Sequence, residues 1–429
     1  MREVAISRPS DNGDRPAEAA PPLAGVRVAD FSRVLAGPYA TMLLAELGAD
    51  VVKVEHPVHG DETRSWGPPE AGGEAAYYLA VNRNKRNIAL DLKHPEGRAV
   101  ARRLCDRADV IIENFRPGVA DRLGIGYEAV RRSNPGVVYC SITGFGGADR
   151  PGFDAVVQAE SGLMHITGET PTKVGVAIAD VLAGLNAAVA ILGPLHRRAL
   201  TGTGCRVEVS LLQSALSGLV NVAQSALVTG EEAGRYGNAH PTVVPYQTFA
   251  TADGEITVAA GNDGLYRALC HAIGRPDLAG DPRFSSNPGR IVNRDALIAE
   301  LEAVFGTRTA GEWTGVLTEA GVPVGKIRGV LEAIRAADQP ATVTVAHPTA
   351  GPLELMRTGF AVGGYTPRRD PPPLHGQHTR PLLAELGLTE AEIGRLEQAG
   401  VVRQAPDPPP PPPLPHSTPS TPSAPKESR

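Results

Sequence analysis

Between Gly25 and Phe145 the sequence alternates short β-branched runs with longer segments of helical periodicity, and this alternation restricts the fold more than any other feature. GVRVADF (25–31) reads as a strand. PYATMLLAELG (38–48) reads as a helix with Pro38 in its first turn, where the missing N–H is harmless, and Gly48 as its stop. VVKVEH (51–56), DVIIENF (109–115) and VVYCSITGF (137–145) follow as strands, with PEGRAVARRLCDRA (95–108) and YEAVRRSN (127–134) as helices. Such alternation implies right-handed crossovers and a mostly parallel, doubly wound α/β sheet. Helices are expected to dominate 154–228. YQTFATADGEITVAAGN (246–262) then reads as a hairpin turning at Asp253-Gly254, and RDALIAELEAVFGTRTAGEWTGVLTEAGV (294–322) as helical, which marks a smaller α+β unit.

The polar first 22 residues and the tail beginning APDPPPPPPLP at Ala405 have little apolar surface to bury and read as disordered, the tail polyproline-II-prone. The expected organisation is an extension (1–22), a large domain (23–225), a small central domain (226–335), a return to the large domain (336–403) and a tail (404–429). A net charge of −5 over 429 residues, without a basic stripe, argues against nucleic acid as a partner. Cys105, Cys140, Cys205 and Cys270 form no closely spaced pair for zinc or redox chemistry and read as reduced thiols. The acidic, apolar-poor start lacks the pattern of a secretory or transit signal, so a cytoplasmic protein is expected. The apolar stretches 181–195 and 211–228 are short or interrupted by Asn186, Gln213, Ser217, Asn221 and Gln224, so no membrane span is expected.

Three features could carry chemistry. The turn Ser32–Pro38 follows the first strand and opens a helix whose free N–H groups suit an anion. It is not GxGxxG, although Glu55 loosely fits the acid of a dinucleotide site, so a nicotinamide-dependent oxidoreductase is a weak alternative. No metal, P-loop or serine-hydrolase motif is present. Second, NRNKRN (82–87) and ENFRPG (113–118), with Arg122 beyond, place basic residues near strand ends. A solvated loop is the plain reading, but ligands of doubly wound sheets bind at such ends, where a polyphosphate would fit. Third, Asp154 and Asp180 sit in unusually apolar surroundings. Asp180 suits the N-cap of the helix that follows it, and a desolvated carboxylate there is also able to act as a nucleophile toward an activated acyl group.

Six segments are recognisable together: GVRVADFSRVLAGPYATMLLAELGADVVKVEHPVHGDETRSWGPP, YYLAVNRNKRNIALDLKHPEG, ENFRPG, YCSITGFG, GFDAVVQAESGLMHITG and PYQTFATADGEITVAAGN. They resemble the class III CoA-transferases, the CaiB/BaiF family, from about Pro22 to Val402. VNRNKRNIALDLK, RYGNAHPTVVPYQTF and PPPLHGQHTRPLLAELGL look most like the subgroup acting on succinyl-CoA and glutarate.

The resemblance implies a Rossmann-like CoA-binding domain built from both chain ends, a smaller central domain, and an interlocked homodimer. It implies Asp180 as the nucleophile that forms aspartyl anhydride and aspartyl-CoA thioester intermediates, with acyl-CoA and a small carboxylic acid as substrates and no permanently bound cofactor. Carried over by position, CoA contacts fall on Leu35, Ala36, Leu90, Asp91, Leu92, Lys93, Asn114, Phe115, Arg116, Arg122 and Asp154. His56 stands where the family can place an arginine, and the loop 147–150 is short. Arg64, Arg235 and His240 are candidates to hold the acid substrate. The glycine-rich flap of formyl-CoA transferase is absent, NAHPT (238–242) standing in its place. Racemases of the same fold use a His–Asp unit where this chain has Phe153-Asp154, and Phe153 cannot move a proton. A catalytically silent acyl-CoA-binding protein is the remaining alternative.

Overall fold

The computed structural model describes residues 19–406; the expected extension up to residue 18 and the tail from residue 407 lie outside the described residues. The strands run β1 (Arg27–Asp30), β2 (Asp50–Glu55), the short pair β3 (Glu70–Ala71) and β4 (Glu74–Ala75), β5 (Lys85–Leu90), β6 (Val110–Glu113), β7 (Val138–Thr143), β8 (Cys205–Ser210), β9 (Tyr246–Ala250), β10 (Glu255–Ala259), β11 (Val324–Lys326), β12 (Thr342–His347), β13 (Gly351–Met356) and β14 (Val402–Arg403). Seven of them form one sheet in the order β14-β5-β2-β1-β6-β7-β8. All neighbours in it are parallel except β14, which returns antiparallel to β5.

The period-2 alternation of the strands divides their side chains between two cores. Ala29, Val52, Val54 and Ile111 pack under the helices Pro95–Arg107, Thr379–Glu385 and Glu390–Gln398, while Val28, Val51, Val110 and Ile112 pack under Ala36–Glu46 and Ile178–Thr201. Both faces are therefore covered, as a parallel sheet requires. Each buried Val or Ile among them contributes about 1.5–3 kcal/mol relative to an exposed one.

A separate core, including Phe249, Ile256, Tyr266, Leu301, Phe305 and Trp313, lies under the antiparallel sheet β11-β10-β9. The hairpin turns as expected: the Thr251 N–H donates to the Gly254 carbonyl at 2.8 Å, and Asp253 Oδ1 accepts the Ala310 N–H at 2.7 Å at the start of helix Ala310–Glu319.

Several local expectations need correction. YEAVRRSN forms only a four-residue helix, Tyr127–Val130, because Asn134 turns back to donate to the Cys105 and Ala108 carbonyls. β8 lies inside the segment expected to be helical; its Val207 and Val209 are buried while Arg206 and Glu208 are exposed, the pattern of an edge strand. NRNKRN is not a solvated loop: Arg83, Asn84, Lys85 and Asn87 are buried in a polar network. Gln404 and Ala405, assigned to the tail, pack on the large sheet's layer, with Gln404 bonded to the Arg380 N–H and the Gln377 carbonyl.

Helix Ile178–Thr201, at 24 residues, is long and apolar enough to cross a membrane. Its face of Ala179, Ala183, Ala187 and Ile191 is instead buried against sheet and helix.

Candidate active site

Every parallel strand points its C-terminal end to one edge of the sheet, and the segments singled out in the sequence follow those ends. Arg33–Ala36 follow β1, His56 follows β2, Asp91–Lys93 follow β5 and Asn114–Arg116 follow β6. This is the edge at which doubly wound sheets hold ligands. A cavity of about 270 Å³ opens there, lined among others by Arg33, Ala36, Asn114, Arg116, Phe153 and Asp180.

The turn after β1 is tightly held. Asn114 accepts the Arg33 N–H at 2.9 Å on Oδ1 and donates from Nδ2 to the Arg33 carbonyl at 2.8 Å, fixing the 33 peptide to the end of β6. Val34 adopts φ +67°, a strained value for a β-branched residue. Gly37 is required because a Cβ there would lie 2.2 Å from Ser32 Oγ.

Below the turn is a fully buried network. Asp30 accepts from Thr41 Oγ1 at 2.6 Å and Lys85 Nζ at 3.3 Å, while Lys53 pairs with Asp61 at 2.8 Å and donates to the Ser32 carbonyl at 3.0 Å. Burial opposes the charge on Asp61, but Lys53 and Thr63 outweigh it and bring its carboxyl down to about 2. Burial pushes the Lys85 ammonium down to about 7 against the pull of Asp30. Of the basic residues of NRNKRN, Lys85 thus supports the turn from beneath, and neither it nor Arg83 lines the Asp180 cavity.

Asp180 lies in the first turn of helix Ile178–Thr201, whose N-cap is Ala177. It does not cap the helix. That task falls to Asp154, whose Oδ1 accepts the Ala179 N–H at 2.8 Å and whose Oδ2 accepts Gln158 Nε2 at 2.7 Å. The Asp180 carboxyl is left to face the cavity, where it receives the backbone N–H of Ala36. Burial, reinforced by the charge of Asp154, raises it to about 7 despite that hydrogen bond. A desolvated carboxylate of this basicity, set in an apolar helix start, is equipped for nucleophilic attack.

The structure brings Ala36, Asn114, Phe115, Arg116 and Asp180 to one cavity, with Leu35 half-buried beside it as the N-cap of helix Ala36–Glu46. His56, Asp91 and Lys93 gather at the neighbouring strand ends, close enough that Asp91 and Lys93 act on the His56 imidazole.

Other candidates do not fit their assignments. Leu90 is 1% exposed, packed within the sheet and paired with Val402, so its side chain has no ligand surface. Leu92 packs against the same core. Asp154 is occupied as the helix cap. Arg122 is exposed at the end of the short helix Val119–Arg122 and does not line the cavity.

Arg64 is not free to clamp a substrate: it binds Glu55 at 2.7 Å and Glu74 at 2.8 Å and stacks on Tyr78 at 3.7 Å. Arg235 donates to the His165 and Glu169 carbonyls, and His240 stacks on Tyr246; neither lines the Asp180 cavity within the described chain.

Tyr77, near Asp180, and Trp66, packed on it, escaped the sequence reading. Tyr77 lies close enough to Asp180, Asp154 and Asp61 that burial first, and then their charges, push its phenol up to about 12. Trp66, 41% exposed, packs edge-on against Tyr77 at 5.1 Å. The available signal was rarity: the chain has only two tryptophans, and Trp66 stands in a polar, Pro-rich segment where no core demands it.

Residues 23–379 match the sequence profile of CoA-transferase family III. The chain is 40% identical over 395 residues to succinyl-CoA:glutarate CoA-transferase of Mus musculus, covering 89% of this chain and 91% of that protein. It is 41% identical over 394 residues to succinate–glutarate CoA-transferase of Agrobacterium fabrum, covering 86% and 97%. A crystal structure of a CaiB/BaiF family protein from Brucella suis superposes with a TM-score of 0.75 at 39% identity, covering 85% of this chain and 99% of that one. With its parallel-rich α/β sheet and this extent of similarity, the chain belongs to the family III CoA-transferases.

Proposed function

We propose that the enzyme moves CoA from succinyl-CoA to glutarate or a related dicarboxylate, with Asp180 as the covalent nucleophile. The observation that carries this reading is the Asp180 carboxyl itself: desolvated, raised to about 7, and set against the Ala36 N–H in a cavity that also holds Arg33 and Arg116. The relatives named for succinyl-CoA and glutarate supply the substrates.

Asp180 attacks the donor thioester carbonyl, forming a mixed anhydride and releasing CoA as thiolate. The thiolate attacks the aspartyl carbonyl, the anhydride C–O bond breaks, and the donor acid leaves as a carboxylate. The acceptor carboxylate then displaces CoA from the aspartyl thioester. CoA thiolate finally attacks the acceptor carbonyl of the second anhydride, giving the new thioester and restoring Asp180. Each step exchanges one acyl bond for another, and water must be excluded because either anhydride would hydrolyse.

The basic and polar groups around the cavity, Arg33, Asn114 and Arg116, with His56 and Lys93 at the adjoining strand ends, suit the phosphates and adenosine of CoA. The two cores of the large sheet and the separate third one support a large domain made from both chain ends (23–225 and 336–403) around a central one (226–335). Leu185 and Val189 on helix Ile178–Thr201 and Leu227 and Val228 on helix Val220–Thr229 are exposed apolar surface that a second copy would cover, which supports the interlocked homodimer. In that dimer Arg235 and His240 would serve a substrate on the partner.

Mass spectrometry of succinyl-CoA incubated with labelled glutarate tests the reading, with succinate, 3-hydroxy-3-methylglutarate, malate, itaconate and oxalate as comparison acceptors. Labelled glutaryl-CoA is expected from the wild type and none from Asp180→Ala, which should still bind CoA. Near-normal turnover by that variant would remove Asp180 from the chemistry.

A further inference from the structure

A second concentration of positive charge lies on the opposite edge of the sheet. Arg83 precedes β5, whose six residues separate it from Asp91–Lys93 at the active-site edge, a span of about 20 Å at roughly 3.3 Å per residue. Arg83 is 2% exposed. Its Nε donates to Glu46 at 3.1 Å and its Nη1 to the Met356 carbonyl at 2.9 Å, while Nη2 has no hydrogen-bond partner among the described residues.

Arg83 lines a pocket of about 360 Å³ together with Arg357, Arg368, Arg369 and Thr344. Against these four guanidinium groups the lining contains one carboxylate, Glu46, which Asn84 Nδ2 also engages at 3.2 Å. Asp370 stands 3.7 Å from Arg368. Among the described residues, Arg357 and Arg368 otherwise reach only neutral carbonyl oxygens, of Pro340 and Ala49.

Converging like charges repel, and a buried guanidinium with an unused donor is costly. An anion seated among them offsets the repulsion, with the shielded Arg83 guanidinium as a fixed positive charge in the pocket wall, and the planar fork of arginine matches the geometry of phosphate and carboxylate oxygens. We propose that this pocket binds a small oxyanion carrying two or more negative charges, a phosphate-bearing or polycarboxylate metabolite, at a site separate from Asp180. The ligand would tie Arg83, at the start of β5, to β13's end and to the 366–369 segment.

Isothermal titration calorimetry of the full chain with pyrophosphate and, separately, succinate, at constant ionic strength, reads the site directly. In Arg33→Gln/Arg116→Gln, which strips the Asp180 cavity of its cations, one class of saturable binding should remain, and adding Arg357→Gln/Arg369→Gln should weaken that class about tenfold or more. Tighter binding of pyrophosphate identifies a phosphate-bearing ligand, and tighter binding of succinate a polycarboxylate. No saturable binding remaining in Arg33→Gln/Arg116→Gln, or undiminished affinity of that class once Arg357→Gln/Arg369→Gln is added to a protein that still folds, overturns the proposal. Circular dichroism melting establishes folding, and Arg357→Lys/Arg369→Lys, which keeps the charge, should retain most of the binding.

Discussion

Asp154 caps the helix that carries Asp180, accepting the Ala179 N–H on Oδ1 at 2.8 Å, one residue before the proposed nucleophile. One carboxylate thereby anchors the helix start, while burial and, after it, the charge of Asp154 keep the next one basic. The two acids have separate tasks that their sequence contexts did not distinguish.

Replacing Asp154 tests that division. Asp154→Asn keeps an oxygen for the Ala179 N–H but removes the charge, so the Asp180 pKa falls and the acidic limb of the pH–rate profile moves to lower pH. Asp154→Ala also loses the cap and should cost about 1 kcal/mol in urea unfolding. An unmoved acidic limb in Asp154→Asn would show that the charge of Asp154 does not reach Asp180.

Asp180 sets a pH window of its own. Its carboxyl lies at about 7 in the folded chain against an ordinary 3.8, and the ionised form is the nucleophile, so transfer should decline as pH falls through about 7. The sign for stability is opposite: the folded chain binds this proton more tightly than the unfolded chain, so ionisation weakens the fold. Asp180→Asn should be inactive yet more stable than wild type by about 1–3 kcal/mol at pH 8, with the gain shrinking between pH 7 and 4. Calorimetric melting across that range checks it.

Tyr77 remains protonated at neutral pH, because burial and the neighbouring acids hold its phenol near 12. Set beside an oxygen that gains charge when Asp180 attacks a thioester, that hydroxyl would donate to it. Tyr77→Phe should lower kcat about 10–100-fold with a smaller change in KM. Equal loss in both parameters would point to a binding role instead.

Arg64 is a structural cation, with its side chain 10% exposed between Glu55 and Glu74. Arg64→Gln leaves two acids uncompensated and should destabilise the protein by about 3 kcal/mol. The folded fraction should keep the wild-type KM for the dicarboxylate. A large KM increase would restore Arg64 as a substrate clamp.

Phe153 lines the Asp180 cavity at the position of a racemase base and has no titratable group. The protein should therefore not exchange the α-proton of a 2-methylacyl-CoA in deuterated water, as followed by mass spectrometry. Rapid exchange would assign proton-transfer chemistry to another residue of the cavity.

Most of the parallel sheet was legible because its signals are local. The β-branched runs of β1, β2, β6 and β7 and the helix-start proline and helix-stop glycine of 38–48 depend on near neighbours in the chain. β8 was missed because it is a half-exposed edge strand whose partner β7 lies far back in the sequence, and β12 and β13, which pair with each other, because their half-exposed residues give no continuous apolar run.

The site followed the same rule. By itself the sequence determined the alternating fold, the strand-end positions of Ala36, Asn114 and Arg116, and an acid in an apolar helix start at Asp180. Tertiary structure decided which polar residues face a ligand and which face each other. NRNKRN and Arg64 look like binding groups in sequence, but burial forces them to pair with Asp30, Glu46, Glu55 and Glu74. Residues 25 apart in sequence, Asp154 and Ala179, meet only once the chain has folded, and that contact settles which of two similar acids is a cap and which is left exposed to the cavity. Desolvation and charge coupling are properties of packing, so the raised pKa of Asp180 could be read only from the fold.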